Sequence, residues 1–120
     1  MTAPTGDAAF YDRIARRFGG YSSGVRPRLA FPGDRPEEVF RDLVLACARR
    51  AQRVLDVGSG DGRFTLSVAR HAPDVVGIDI AELMLRAAEA RRRAAGLANV
   101  HFVRQDAARM AFAEATFDVA

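Results

Sequence analysis

Apolar residues recur at two different periods along this chain, and the period changes near Arg53. Phe10, Ile14 and Phe18 stand at i, i+4 and i+8, Asp7 can cap the run and Gly19-Gly20 can end it. A helix is therefore expected over 7–18. The stretch 21–33 has no clear period, contains Gly, Pro and Ser, and reads as a connection. A second helix is expected from Pro36, a residue favoured at the first helical position, with Glu37 and Glu38 in its first turn. Val39, Leu43 and Cys47 form its expected stripe, which makes Cys47 a small core residue. Beyond Arg53, short β-branched runs alternate with helical spacing. Strands are expected at 53–57, 74–79 and 99–104 and helices at about 62–70 and 81–95, with a fourth strand beginning near Phe117. In the helix at 81–95, Leu83, Ala87, Ala90 and Ala94 share one stripe and Gly96 supplies a left-handed C-cap. Met84 lies beside that stripe, facing either a ligand or the core. Strict alternation of strands and helices predicts an α/β parallel sheet with right-handed crossovers. The chain thus divides into an N-terminal helical extension, 1–50, and a sheet-containing part, 51–120.

The chemistry concentrates where the first strand ends. Val54, Leu55 and Val57 surround one acid, Asp56, and run into Gly58-Ser59-Gly60-Asp61-Gly62. Glycine tolerates φ > 0 and lacks Cβ, so such a turn lets a ligand sit against bare backbone. The helix that follows aims its amide-rich end at that ligand. A strand, a glycine turn and a helix in this order open a nucleotide-binding βαβ unit. The register is G-x-G-x-G, whereas dinucleotide sites need G-x-G-x-x-G, and the place of their third glycine holds Arg63. A P-loop is excluded, because no Gly-Lys-Ser/Thr follows. Asp79 lies 21 residues after Gly58 at the end of the second strand. An acid there accepts hydrogen bonds from both ribose hydroxyls, and it can also cap the helix starting at Ala81.

Composition narrows the class further. With 120 residues, 49% hydrophobic and 28% charged, the chain is one small soluble domain at most. No run approaches the roughly 18 apolar residues that span a membrane, and 1–7 carries no apolar signal segment. A single cysteine fits a reducing, cytoplasmic setting. The net charge is +3 and all 18 basic residues are arginine, yet most alternate with acids. The one run, Arg91-Arg92-Arg93, falls in the last turn of a helix, where cations complement the dipole and are solvated. The distribution argues against a nucleic-acid partner, since no aromatic residues interleave with the run. His71 and His101 read as structural and no metal site is expected.

At these residues the chain resembles class I methyltransferases that use S-adenosylmethionine, in particular the small-molecule type found in quinone biosynthesis. Val75-Val76-Gly77-Ile78-Asp79-Ile80 looks like their second strand, Arg104 to Phe112 like their adenine-contacting segment, and Ala115 to Ala120 like the start of their fourth strand. A weaker echo lies at Tyr11-Asp12-Arg13-Ile14-Ala15. The resemblance implies a Rossmann-like, doubly wound parallel sheet, truncated after the start of its fourth strand, with N-terminal helices. It also implies roles for single residues. Gly58, Ser59, Gly60 and Gly62 would offer backbone to the cofactor, and Asp56 would orient the loop and the methionine ammonium. Asp61 would add negative potential near the sulfonium. Asp79 would hold the ribose and Ile80 would lie against the adenine face. Asp106 would accept from the adenine amine while the Ala107 amide reaches a ring nitrogen. Tyr11 would belong to a helix over the cofactor.

The implied reaction is methyl transfer to a small-molecule acceptor. Since orientation of an already electrophilic sulfonium supplies much of such catalysis, no catalytic base is assigned. Two alternatives are a dinucleotide-binding oxidoreductase fragment, disfavoured by Arg63, and a non-catalytic cofactor-binding or interaction module. With three strands and the start of a fourth, a shortened enzyme is expected, marginally stable or self-associating through Phe117 and Val119 at an unfinished sheet edge.

Overall fold

A computed structural model describes residues 12, 13, 16 and 36–120. Asp12, Arg13 and Arg16 are helical, and the remainder of the helix expected over 7–18, with Tyr11, lies outside the described residues. In chain order the described elements are helix α1 (Pro36–Ala48), strand β1 (Arg53–Val57), helix α2 (Arg63–Ala69), strand β2 (Asp74–Asp79), helix α3 (Glu82–Ala95) and strand β3 (Val100–Arg104). A single 3-10 turn, Ala107–Arg109, follows.

The three strands are parallel in the order β1-β2-β3. Their register pairs Val54 with Val75 and Val75 with Val100. These three valines are 3%, 0% and 1% exposed, so they face the helices and centre the core. Leu66, Val68 and Ala69 of α2 and Ala48 at the end of α1 close over them. The opposite face, read from strand alternation, carries Leu55 and Ile78, both buried, but also Val57 and Val103, which remain 44% and 38% exposed. Asn99 ties the layers together: its amide donates to the carbonyls of Ala69 (2.7 Å) and Ala72 (2.8 Å), just after α2.

The fourth strand begins as a parallel bridge between Val119 and Val54. The Leu55 N–H donates to the Val119 carbonyl and the Asp118 N–H to the Arg53 carbonyl, each at 2.9 Å. Asp118 also accepts the N–H groups of Gln52 (2.7 Å) and Arg53 (2.9 Å), which holds its carboxyl below the ordinary range. After β3 the chain therefore returns to the far side of β1. The carboxyl end of β1 becomes the point where strand order reverses, and such a point opens a crevice in doubly wound sheets.

Two helical faces differ from expectation. In α1 the buried residue is Ala48, with Val44 and Leu45 packed on the core, while Leu43 is 63% exposed and Cys47 is exposed. The side chain of Val39 is outside the described ones. Cys47 is thus not a core residue. This thirteen-residue helix carries apolar groups on two faces, and the face that docks on the core is that of Val44, Leu45 and Ala48. In α3 the buried face is Met84 and Ala88, following Ala81, rather than Leu83, Ala87, Ala90 and Ala94. The stripe is rotated by one residue because Ala88 must sit beneath Gly62.

Candidate functional site

The loop after β1 is fixed by backbone bonds from β2. The N–H groups of Gly58 and Ser59 both donate to the Ile78 carbonyl at 2.9 Å, and the Gly62 N–H donates to the Ser59 carbonyl at 3.0 Å. Two kinds of glycine share this loop. A Cβ built on Gly58 or Gly60 meets nothing within 4 Å, whereas one on Gly62 would lie 2.8 Å from both Ala88 Cβ and Phe102 Cζ. The first two face open space and the third makes the close approach of loop to helix. Gly62, φ 79°, is also the N-cap of α2. It does the packing work that a third dinucleotide-type glycine would do at position 63, so Arg63 can point outward.

Asp79 is the hub. Its Oδ2 accepts the Gly60 N–H and its Oδ1 the Ala81 N–H, each at 2.8 Å. The N-cap of α3 is Ala81, whose side chain cannot cap, so the capping role expected for Asp79 takes the form of this short turn onto the Ala81 N–H. In the first turn of α3 the Leu83 N–H donates to Asp12 Oδ1 at 3.3 Å. Asp56 reaches the same crevice from the neighbouring strand. Thr65, fully buried, donates its hydroxyl to Asp56 Oδ2 at 2.6 Å. Burial raises the Asp56 carboxyl above the ordinary value, the Thr65 bond opposes this, and the nearby Asp79 charge adds to it.

The segment after β3 completes the edge of the crevice. The Gln105 N–H donates to the Asp79 carbonyl at 3.1 Å, and Arg104 Nε donates to the Ile80 carbonyl at 3.0 Å. Asp106 accepts the Ala108 N–H at 2.9 Å and so caps the 3-10 turn, while Ala107 is exposed. Gly58, Gly60, Asp79, Ile80 and the Asp106 turn thus gather at the carboxyl end of the sheet. Ser59 is 8% exposed and its Oγ has no partner among the described residues. Met84 is 3% exposed and packs on the core side of α3. His71 follows α2 at the other end of β2 and His101 is exposed on β3. No group of three metal-binding side chains occurs among the described residues.

Asp61 departs from expectation. Its side chain is only 11% exposed and sits between two arginines, Arg63 Nε at 3.1 Å and Arg91 Nη2 at 3.5 Å. A carboxylate neutralised in this way adds little negative potential to the crevice. Arg91, Arg92 and Arg93 lie at the surface of the helix end, but each is ion-paired, Arg91 with Asp61 and the other two with Glu89. Arg92 donates to the Leu97 carbonyl (2.9 Å) and to Glu89 (2.8 and 2.6 Å), and its bonds to Glu89, with Arg93 beside them, draw the Glu89 carboxyl down to about 2. Sequence reasoning missed Thr65, Asn99, Arg91, Arg104 and Asp118 as structural partners. Thr65 alone left a signal, as a hydroxyl one turn into the helix that follows an in-strand acid.

Comparison with known proteins matches residues 54–120 to the family described as "Methyltransferase domain". The chain is similar to the 23S rRNA (uracil(1939)-C(5))-methyltransferase RlmD of Alkalilimnicola ehrlichii, 36% identical over 108 residues, covering 82% of this chain and 24% of that protein. It is similar to the demethylmenaquinone methyltransferase of Thermus thermophilus, 36% identical over 80 residues, covering 65% of this chain and 36% of the relative. The chain thus spans about a quarter to a third of these two relatives' length. Among solved structures, the [4+2]-cyclase SpnF superposes with a TM-score of 0.75 at 24% identity, covering 98% of this chain and 47% of the other. That likeness concerns the fold alone.

Proposed function

The chain belongs to the methyltransferase-domain family, and we propose that it binds S-adenosylmethionine in the crevice at the end of β1 and serves methyl transfer to a small-molecule acceptor. One observation carries this reading: Asp79 Oδ2 takes the Gly60 N–H at 2.8 Å, which places a carboxylate beside an open glycine turn at the reversal point of the sheet. The residues present fit such a cofactor. Open space at the Cβ positions of Gly58 and Gly60 leaves room for a ligand against backbone. Each Asp79 oxygen has accepted one protein N–H, and the lone-pair capacity left on a carboxylate suits ribose hydroxyls. Ile80 offers an apolar flank for the adenine, with Asp106 and the Ala107 amide at its edge, and Asp56 stands on the methionine side. Ser59 and Gly62 shape the loop from behind, and Met84 supports α3.

When bound, the cofactor supplies an electrophilic methyl on sulfur. The chain's own contribution is positional: it holds the donor in one orientation at a crevice wall, and orientation is a large share of such catalysis. No side chain of the crevice is assigned as a base. Charge pairing supports a small acceptor, since Arg53, Arg63, Arg86, Arg91, Arg92 and Arg93 each lie within 4.0 Å of an acid, while exposed Arg104 and Arg109 beside the crevice leave some positive charge for an anionic one. The similarity to RlmD, named for an rRNA substrate, supports a second reading in which the acceptor is RNA. Calorimetry with S-adenosylhomocysteine and with NADH tests the cofactor, and a preference for NADH overturns it. Methyl-transfer assays over quinone-like, amine and RNA acceptors then decide between the two acceptor classes.

A further inference from the structure

We infer that Asp61, with Arg63 and Arg91, is a positioning clamp that holds the glycine loop from behind and governs cofactor affinity without touching the cofactor. The inference rests on the proposed cofactor site. Asp61 lies between Gly60, whose N–H is given to Asp79, and Gly62, which packs on Ala88. Asp79 leads directly into α3, and Arg91 projects from the third turn of that same helix. The loop is therefore attached to the β2–α3 unit twice, at the front through Gly60 and Asp79 and at the back through Asp61 and Arg91, 3.5 Å apart. Arg63 Nε at 3.1 Å and the Arg63 N–H at 3.4 Å secure the same carboxylate to the start of α2.

The character of the contact points the same way. Asp61 Oδ2 and Arg91 Nε are both buried without an aligned hydrogen-bond partner among the described residues, so the pair is held by charge more than by directed bonds. Removing Arg91 leaves Asp61, 11% exposed, with Arg63 alone and cuts its tie to α3, whereas removing the Asp61 charge frees both arginines from the loop. The loop would then be free to shift, and with it the Gly60 amide and the open face beside Gly58. With two guanidiniums beside it, Asp61 has little field left for a ligand's charge. Its effect on binding is for this reason blind to whether the ligand sulfur is cationic.

The test is calorimetry with S-adenosylmethionine and with S-adenosylhomocysteine on the full chain and on Asp61→Asn, Arg91→Gln and the double variant, with amide exchange at Gly60. Each single variant should weaken both ligands by the same factor, roughly tenfold, and the double should be no weaker than the worse single. Gly60 exchange should quicken in all three. Selective loss of the cationic ligand in Asp61→Asn, with Arg91→Gln unchanged, overturns the clamp in favour of a direct electrostatic role. A lowered melting temperature with unchanged affinities and unchanged Gly60 exchange also overturns it, as a purely structural role. Failure of the unsubstituted chain to bind either ligand refutes the cofactor reading instead. Gly60 exchange then still decides the clamp, since unchanged protection in the variants refutes it.

Discussion

Asp79 and Asp106 stand at neighbouring strand ends of one crevice, yet they are held differently. Asp79 accepts from Gly60, 19 residues away, as well as from Ala81, so its position depends on β1 and β2 being paired. Among the described residues the Asp106 side chain accepts only from Ala108, two residues on, within its own turn. The β1–β2 half of the crevice is built by tertiary contacts, and the half after β3 is built by a local turn attached through Gln105 and Arg104. A substitution in the first half should disturb folding and binding together. One in the second should touch binding alone.

The largest effect is expected at Gly62. Its replacement by alanine adds a Cβ 2.8 Å from Ala88 and Phe102 and demands a left-handed backbone, so denaturant unfolding should show a loss of about 2–4 kcal/mol. Gly58→Ala has open space around it and should lose only about 1–2 kcal/mol of stability, from backbone strain. Equal losses at the two glycines would abolish the distinction between packed and open faces. Next comes Asp79→Ala, which should weaken S-adenosylhomocysteine binding by about 1.5–3 kcal/mol in calorimetry, once circular dichroism has confirmed folding. His71→Ala and His101→Ala serve as controls that should leave affinity unchanged. Asp106→Ala should weaken binding by only about 0.5–1.5 kcal/mol and leave the melting temperature in place; a larger effect than at Asp79 would reverse the comparison.

Asp56 gives a smaller, pH-dependent effect. Its folded carboxyl titrates above the ordinary 3.8, chiefly through burial. The folded state therefore gains from the proton below 3.8 and loses that gain as pH rises through the elevated value. Asp56→Asn keeps an acceptor for Thr65 and should melt higher than the unsubstituted chain at pH 7, with the gap closing toward pH 3. A gap that widened on acidification would show the sign to be wrong. Smallest of all is Glu89→Gln. Its carboxyl, drawn down to about 2 by Arg92, contributes above its unfolded value near 4.5 and loses that contribution as pH falls through 2. The pair is on the surface, and a melting curve at neutral pH should barely move.

Element order, strand positions and the glycine turn were legible in the chain because each depends on neighbours close in sequence. The expected strand at 53–57 and that at 74–79 coincide with β1 and β2, and Gly96 ends α3 as a left-handed cap. The buried faces of α1 and α3 were not legible. Both helices carry apolar residues around much of their circumference, and periodicity alone cannot choose between adjacent stripes. The choice was made by what each helix had to meet, the core beside Ala48 in one case and Gly62 in the other.

The same division runs through the site. Sequence by itself determined that an acid would close β2, that glycines would open the turn after β1, and that the architecture would be a parallel α/β sheet, since all three follow from residue type and spacing. Only the tertiary structure decided the partners of the charges. Asp61 meets Arg91, Asp56 meets Thr65 and Asp118 meets the amides of Gln52 and Arg53 because strands and helices distant in sequence are packed side by side. A side chain's charge is written in its identity, whereas its field in the crevice depends on which opposite charge folding places within a few ångströms of it.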